Sequence, residues 1–217
     1  RYRLPMSAGL LPFAGLALSE GLRWLQRPRR LSRVPVVPVV LVAVLAGVVL
    51  WPSVRRQEMP GDMAHTHYYL GMVSLQEEQP VEAAGHLEEA LQLVADNPRY
   101  RYQYGQALYQ SDRIDEAIGQ FEQSIALEPR YLPPYIALGI AQRKQDNLAA
   151  AEATYRRAIS ISDRYVYAWF NLGNVLMDSK RWEEAAAAFE RTLKLEPGFS
   201  AAEGGLQRAR QSAGSPP

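Results

Sequence analysis

The chain has 217 residues, a formal net charge of +1, 22% charged and 47% hydrophobic residues, and no cysteine. That length accommodates one folded array and one membrane module, and the absence of cysteine excludes disulfides and cysteine-bound metal. The near-zero charge hides a division, because residues 1–56 carry nine Arg against one Glu, net +8, whereas residues 57–217 carry 15 basic and 22 acidic side chains, net −7. An acidic second part repels phosphates and disfavours nucleic-acid binding, while the basic first part suits anionic lipid headgroups.

The first element is an apolar stretch from Leu4 to about Leu22, interrupted only by Ser7, Ser19 and Glu20. It is expected to form a membrane span followed by a basic cytoplasmic loop holding Arg23, Arg27, Arg29, Arg30 and Arg33, so that residues 1–33 act as one unit. A signal peptide would carry its basic residues before the apolar run, which is the reverse of the order here. Residues 34–51, from Val34 to Trp51, lack any charged or strongly polar side chain, and their number approaches what a helix needs to cross hydrocarbon. Pro35 and Pro38 lie in the first turn, where a missing amide donor costs little, and Trp51 falls at an interfacial position. The basic cluster before this span outweighs Arg55 and Arg56 after it, which places the remainder of the chain on the non-cytoplasmic side. Residues 52–63, with Pro60 and Gly61, read as a linker.

Arg1-Tyr2-Arg3-Leu4-Pro5 ahead of an apolar helix resembles the entry to a late transmembrane helix of polytopic glycosyltransferases of the protein O-mannosyltransferase type. The resemblance implies a chain continued upstream, consistent with a first residue other than methionine, and repeats that present an acceptor polypeptide. The early acidic loop that carries catalysis in such enzymes has no counterpart here, so no catalytic residue can be assigned.

From Ala64 onward the sequence repeats with a period of 34, in copies 64–97, 98–131, 132–165 and 166–199. Gly71, Gly105, Gly139 and Gly173 fall in register, as do Ala83, Ala117, Ala151 and Ala185, and so do Leu87, Phe121, Tyr155 and Phe189. A glycine inside a helix costs about 1 kcal/mol against alanine, so four in register imply close approach of a second helix, with the alanines as its small partners. The large residues are expected between neighbouring repeats, and Pro129 and Pro197 to stop helices. These residues at this period resemble the tetratricopeptide repeat family. The resemblance implies an all-α solenoid of four helix-turn-helix repeats, and the apolar stretches ahead of it imply one or two preceding transmembrane helices. The first copy is divergent, with Ser74 and Ala95 at positions where the family favours an aromatic and a proline. Residues 200–212 are expected to form a capping helix whose Glu203, Gln207, Arg208 and Arg210 face water, and residues 213–217 a disordered tail.

In such a solenoid the first helix of each repeat lines a concave face on which extended peptides dock. By the family's pattern the resemblance implies that Tyr68 and Met72, then Tyr102, Gln106 and Tyr109, then Ile136, Ile140 and Arg143, and finally Phe170, Asn174 and Met177 lie near that face. The expected groove is aromatic and aliphatic with few charges, and its partner a protein or peptide. Some members of the family clamp a C-terminal carboxylate with lysines and asparagines; only Asn174, Arg143 and Lys144 offer that chemistry here.

Little in the sequence carries catalytic or metal chemistry. His65 and His67 are two apart, which on a helix points them to different faces, and His86 reads as a surface or interface residue, so no metal site is expected. No phosphate loop, nucleophile elbow or paired-carboxylate pocket is present, and no cofactor is implied. Two readings stay open: a membrane-anchored scaffold that recruits a protein, and the C-terminal part of a membrane glycosyltransferase.

Overall fold

The computed structural model describes residues 60–214, and the expected spans, basic loop, most of the linker and the last three residues lie outside that range. Among the described residues there are nine α-helices: α1 Pro60–Gln76, α2 Pro80–Leu93, α3 Pro98–Gln110, α4 Ile114–Leu127, α5 Pro133–Lys144, α6 Leu148–Ile161, α7 Val166–Asp178, α8 Trp182–Leu195 and α9 Ser200–Ala213. None of them is long and apolar enough to cross a membrane. Helix α1 starts at Pro60, inside the stretch read as linker.

Local chemistry sets these boundaries. Proline opens α2, α3 and α5, where its missing amide donor costs nothing. Asn97 accepts hydrogen bonds from the amides of Arg99 and Tyr100, and Asn147 from that of Ala150, satisfying free donors at the starts of α3 and α6. Asp115 and Glu116 in α4, and Glu183 and Glu184 in α8, place negative charge at the positive end of the helix dipole. The turn inside each repeat passes through a residue with positive φ, at Glu78, Asp112, Asp146 and Lys180. One residue further on, the amides of Gln79, Arg113, Asn147 and Arg181 bond back to the carbonyls of Ser74, Leu108, Gln142 and Leu176 at 2.8, 2.9, 2.9 and 2.9 Å. That is the left-handed helix stop, built four times without glycine.

Each repeat is closed by the glycines of its first helix. A Cβ on Gly71 would lie 2.6 Å from the Leu87 side chain, and Cβ atoms on Gly105, Gly139 and Gly173 would lie 2.5, 2.4 and 2.6 Å from the rings of Phe121, Tyr155 and Phe189. These large residues press on the glycine of their own repeat and also join core clusters with the next one, Leu87 with Ala107, Phe121 with Leu138, Tyr155 with Leu172, and Phe189 with Ala202 and Gly205. The glycine gives the ring room that a methyl group would take. All four large residues are fully buried, and burying one such side chain contributes about 1.5–3 kcal/mol. The alanines beside them, Ala83, Ala117, Ala151 and Ala185, are equally buried.

The repeats stack in an asymmetric way. Among the described residues each odd-numbered helix packs closely on the next odd-numbered one, whereas the even-numbered helices pack closely only on odd-numbered neighbours, α6 and α8 being linked by the Arg156–Glu184 ion pair at 3.9 Å. The array therefore curves with α1, α3, α5 and α7 on its inner side. Its ends differ in character. At the C-terminal end α9 buries Ala202, Gly205 and Ala209 and turns Glu203, Gln207, Arg208 and Arg210 outward. The first repeat leaves Met63, Leu70 and Val73 exposed on α1, an apolar face.

Candidate functional site: the inner face of the array

All the side chains assigned to a groove from sequence lie on the odd-numbered helices that line the inner side. Tyr102, Gln106, Tyr109, Ile136 and Ile140 meet in one cleft of about 170 Å³, together with Pro133, Ala137 and Tyr165. Tyr109, Ile140 and Arg143 border a second hollow, with Lys144, Leu148 and Asp178. Tyr68 stands apart, stacked on Tyr100 with ring centroids 4.8 Å apart. Phe170 sits over Phe189 at 6.0 Å and Phe199 at 4.9 Å. Met72, Asn174 and Met177 line neither cleft, and Met177 packs against the core of the last repeats.

Three further aromatic residues complete the surface. Tyr131, Tyr165 and Phe199 occupy the residue just before the next repeat, and each leans over the inner helix of its own repeat. Tyr131 meets Tyr102 edge-on at 5.7 Å, Tyr165 shares the cleft with Ile136, and Phe199 covers Phe170. They are spaced 34 apart, which is the signal that could have found them; the fourth member of the series is Asn97, used as a helix cap. Tyr165 and Tyr167 touch at 5.9 Å, and Tyr167 reaches Phe199 at 6.1 Å, so aromatic contact runs from Tyr165 to Phe170.

The electrostatics are those of a half-buried aromatic floor. Burial, and then the neighbouring Tyr102 and Tyr68, push the Tyr131 hydroxyl up to about 12. Tyr102 and Tyr165 are raised for the same first reason, and the Tyr102 hydroxyl accepts a 2.9 Å hydrogen bond from Gln106 Nε2. These tyrosines are neutral at physiological pH and offer ring faces more than charge. Two cations at the rim are already engaged. Arg143 is bonded to Asp178, which holds its guanidinium more firmly protonated, and Lys144 Nζ donates to Asp112 Oδ1 at 2.6 Å while lying over the Tyr109 ring. An incoming carboxylate would have to displace both acids.

A ring face every repeat, curved helix pairs and a period of 34 can be compared with known proteins. The tetratricopeptide repeat family matches residues 74–139, 132–165 and 166–199, together more than half of the chain. The chain belongs to the tetratricopeptide repeat family. No curated protein sequence matches it. Among solved structures it is similar to MamA, at 22% identity over 71% of this chain and 84% of that one, with a TM-score of 0.63. It is also similar to YrrB, a tetratricopeptide repeat protein with an unusual peptide-binding site, at 18% identity over 66% and 74% of the two chains, with a TM-score of 0.60. The first such domain of Spaghetti, solved with an HSP90 peptide, matches at 23% identity over 54% of this chain and 94% of that one, with a TM-score of 0.53. At these identities the likeness concerns the fold. The family matches begin at residue 74 and lend no support to the glycosyltransferase resemblance of the opening residues.

Proposed function

We propose that the tetratricopeptide repeats dock a protein partner by taking an extended segment of it, rich in apolar or aromatic side chains, along the inner face. The supporting observation is the aromatic series Tyr102, Tyr131, Tyr165, Phe170 and Phe199 beside a rim whose arginine and lysine are already neutralised. Large rings with few rotatable bonds give contact area at low ordering cost, which is why they dominate binding energies at interfaces. The HSP90 peptide held by the Spaghetti domain supports a peptide as the kind of occupant. Binding of a displayed library of unstructured peptides tests the reading. Enriched sequences should carry spaced aromatic or aliphatic residues, and Tyr102→Ala with Phe170→Ala should abolish their capture while the helical signal persists. Capture that both substitutions leave intact would move the site elsewhere.

The charge division of the sequence and the uncharged run Val34–Trp51 support a second element of the reading: attachment to a membrane with the repeats on the non-cytoplasmic side. Protease access to a tag placed after Pro217, from each side of a sealed membrane in turn, tests that placement. Cleavage from the cytoplasmic side would reverse it.

A further inference from the structure

We infer that the first repeat carries a site for a divalent transition-metal ion of the zinc class, formed by His67 on α1 with His86 and Glu89 on α2. One ligand atom from each of the three lies within 4.8 Å of the others. His67 Nδ1 is 2.7 Å from Glu89 Oε2, and the two imidazole rings are 6.0 Å apart. Nδ1 of His86 is a buried ring nitrogen without a hydrogen bond, and Nδ1 of His67 is buried with only the Glu89 contact. Nitrogens in that condition are costly unless something binds them. Glu82, four residues before His86 on α2, brings a second carboxylate to 3.9 Å from its Nε2.

The register shows that this meeting is a property of the fold. Counting by 34, the same three positions hold Arg101, Gln120 and Gln123 in the second repeat, Tyr135, Thr154 and Arg157 in the third, and Trp169, Ala188 and Arg191 in the fourth. In each copy the first helix is fastened to the second there. Arg101 donates to Gln120 at 3.2 Å and also to Gln123, Arg157 lies over the Tyr135 ring at 5.6 Å, and Arg191 over the Trp169 ring at 5.9 Å. Only in the first repeat are all three positions filled by residues that ligate metals. Two imidazoles and a carboxylate, with a fourth place for water, form a donor set that zinc accepts, and Glu82 beside Nε2 is placed to orient the His86 ring. Zinc–nitrogen bonds of 2.0–2.1 Å require tetrahedral ligand atoms about 3.4 Å apart, so a turn of the half-exposed Glu89 and His86 side chains closes the site. Bound metal would cross-link α1 to α2 in the repeat least like the others. His65 takes no part, because its Nδ1 is held 2.8 Å from the Tyr100 hydroxyl.

Calorimetric titration of zinc chloride into the full chain, after treatment with a chelator and its removal, tests the site. One saturable event per chain is expected, weakened at least about tenfold in His86→Gln and in Glu89→Gln and unchanged in His65→Gln. Should a substitution disturb the helical signal, histidine NMR of the unaltered chain decides: zinc should shift the His67 and His86 resonances and leave His65 in place. No saturable event, an isotherm that both substitutions leave unchanged, or shifts confined to His65 would overturn the assignment.

Discussion

Gly139 and Tyr155 are in contact so close that a methyl group on the glycine would sit 2.4 Å from the tyrosine ring. The tyrosine is fully buried and cannot swing into solvent without opening the repeat. Gly139→Ala should therefore destabilise the array by about 1–3 kcal/mol, the usual cost of overfilling a packed core. Gly139→Leu should unfold the central repeats. Thermal melting followed by circular dichroism measures both, and a melt equal to that of the parent chain would show the register to be wrong.

Tyr155 differs from Leu87, Phe121 and Phe189 by polarity, and its hydroxyl is buried with no hydrogen-bond partner. Tyr155→Phe removes that unsatisfied group and keeps the ring, so a gain of about 1 kcal/mol is expected. For a chain of this size that corresponds to a rise of about 2–4 °C in Tm. A fall in Tm would mean that the hydroxyl bonds a buried water.

Alkaline pH should loosen the array. Burial raises Tyr155 far above the ordinary tyrosine value of 10.0, and pushes Tyr131 up to about 12, so the folded chain keeps protons that the unfolded chain releases. The stability these tyrosines contribute is complete below about pH 10 and declines above it, by up to about 1.4 kcal/mol per pH unit for each tyrosine. Urea midpoints at successive pH values should be level up to pH 9 and fall steeply from about pH 10. Tyr155→Phe should make the fall shallower, and an equal slope in both proteins would contradict the assignment.

Lys180 holds a positive φ of 58° in the turn between α7 and α8, where a side chain is unfavourable. Its backbone conformation is one that glycine adopts freely, and the left-handed region costs other residues roughly 1–2 kcal/mol. Lys180→Gly should stabilise the last repeats by about 1 kcal/mol after the extra freedom of the unfolded chain is subtracted. Chemical denaturation detects it as a higher midpoint at unchanged slope.

The repeats were legible because a period of 34 needs only one chain to be seen, and each glycine announces a close neighbour. What glycine neighbours was harder to read: sequence gives the close approach of a helix, but only geometry says that the ring sixteen residues later fills the gap inside the same repeat. Tyr131, Tyr165 and Phe199 escaped because they sit ahead of helices, outside the amphipathic stripe by which inward positions are counted. His67 and His86 escaped because each histidine was weighed against its neighbours in sequence, whereas the two meet across the gap between α1 and α2.

The inner helices are packed in a line while the outer helices stand further apart, α6 and α8 linked only by an exposed ion pair, and this makes the array a leaf spring with one closely packed face. Straightening or tightening it changes the gaps between outer helices and leaves the inner line nearly constant in length. A long occupant laid along that line would act as a splint, and its arrival at one repeat would be felt as stiffness at the other end.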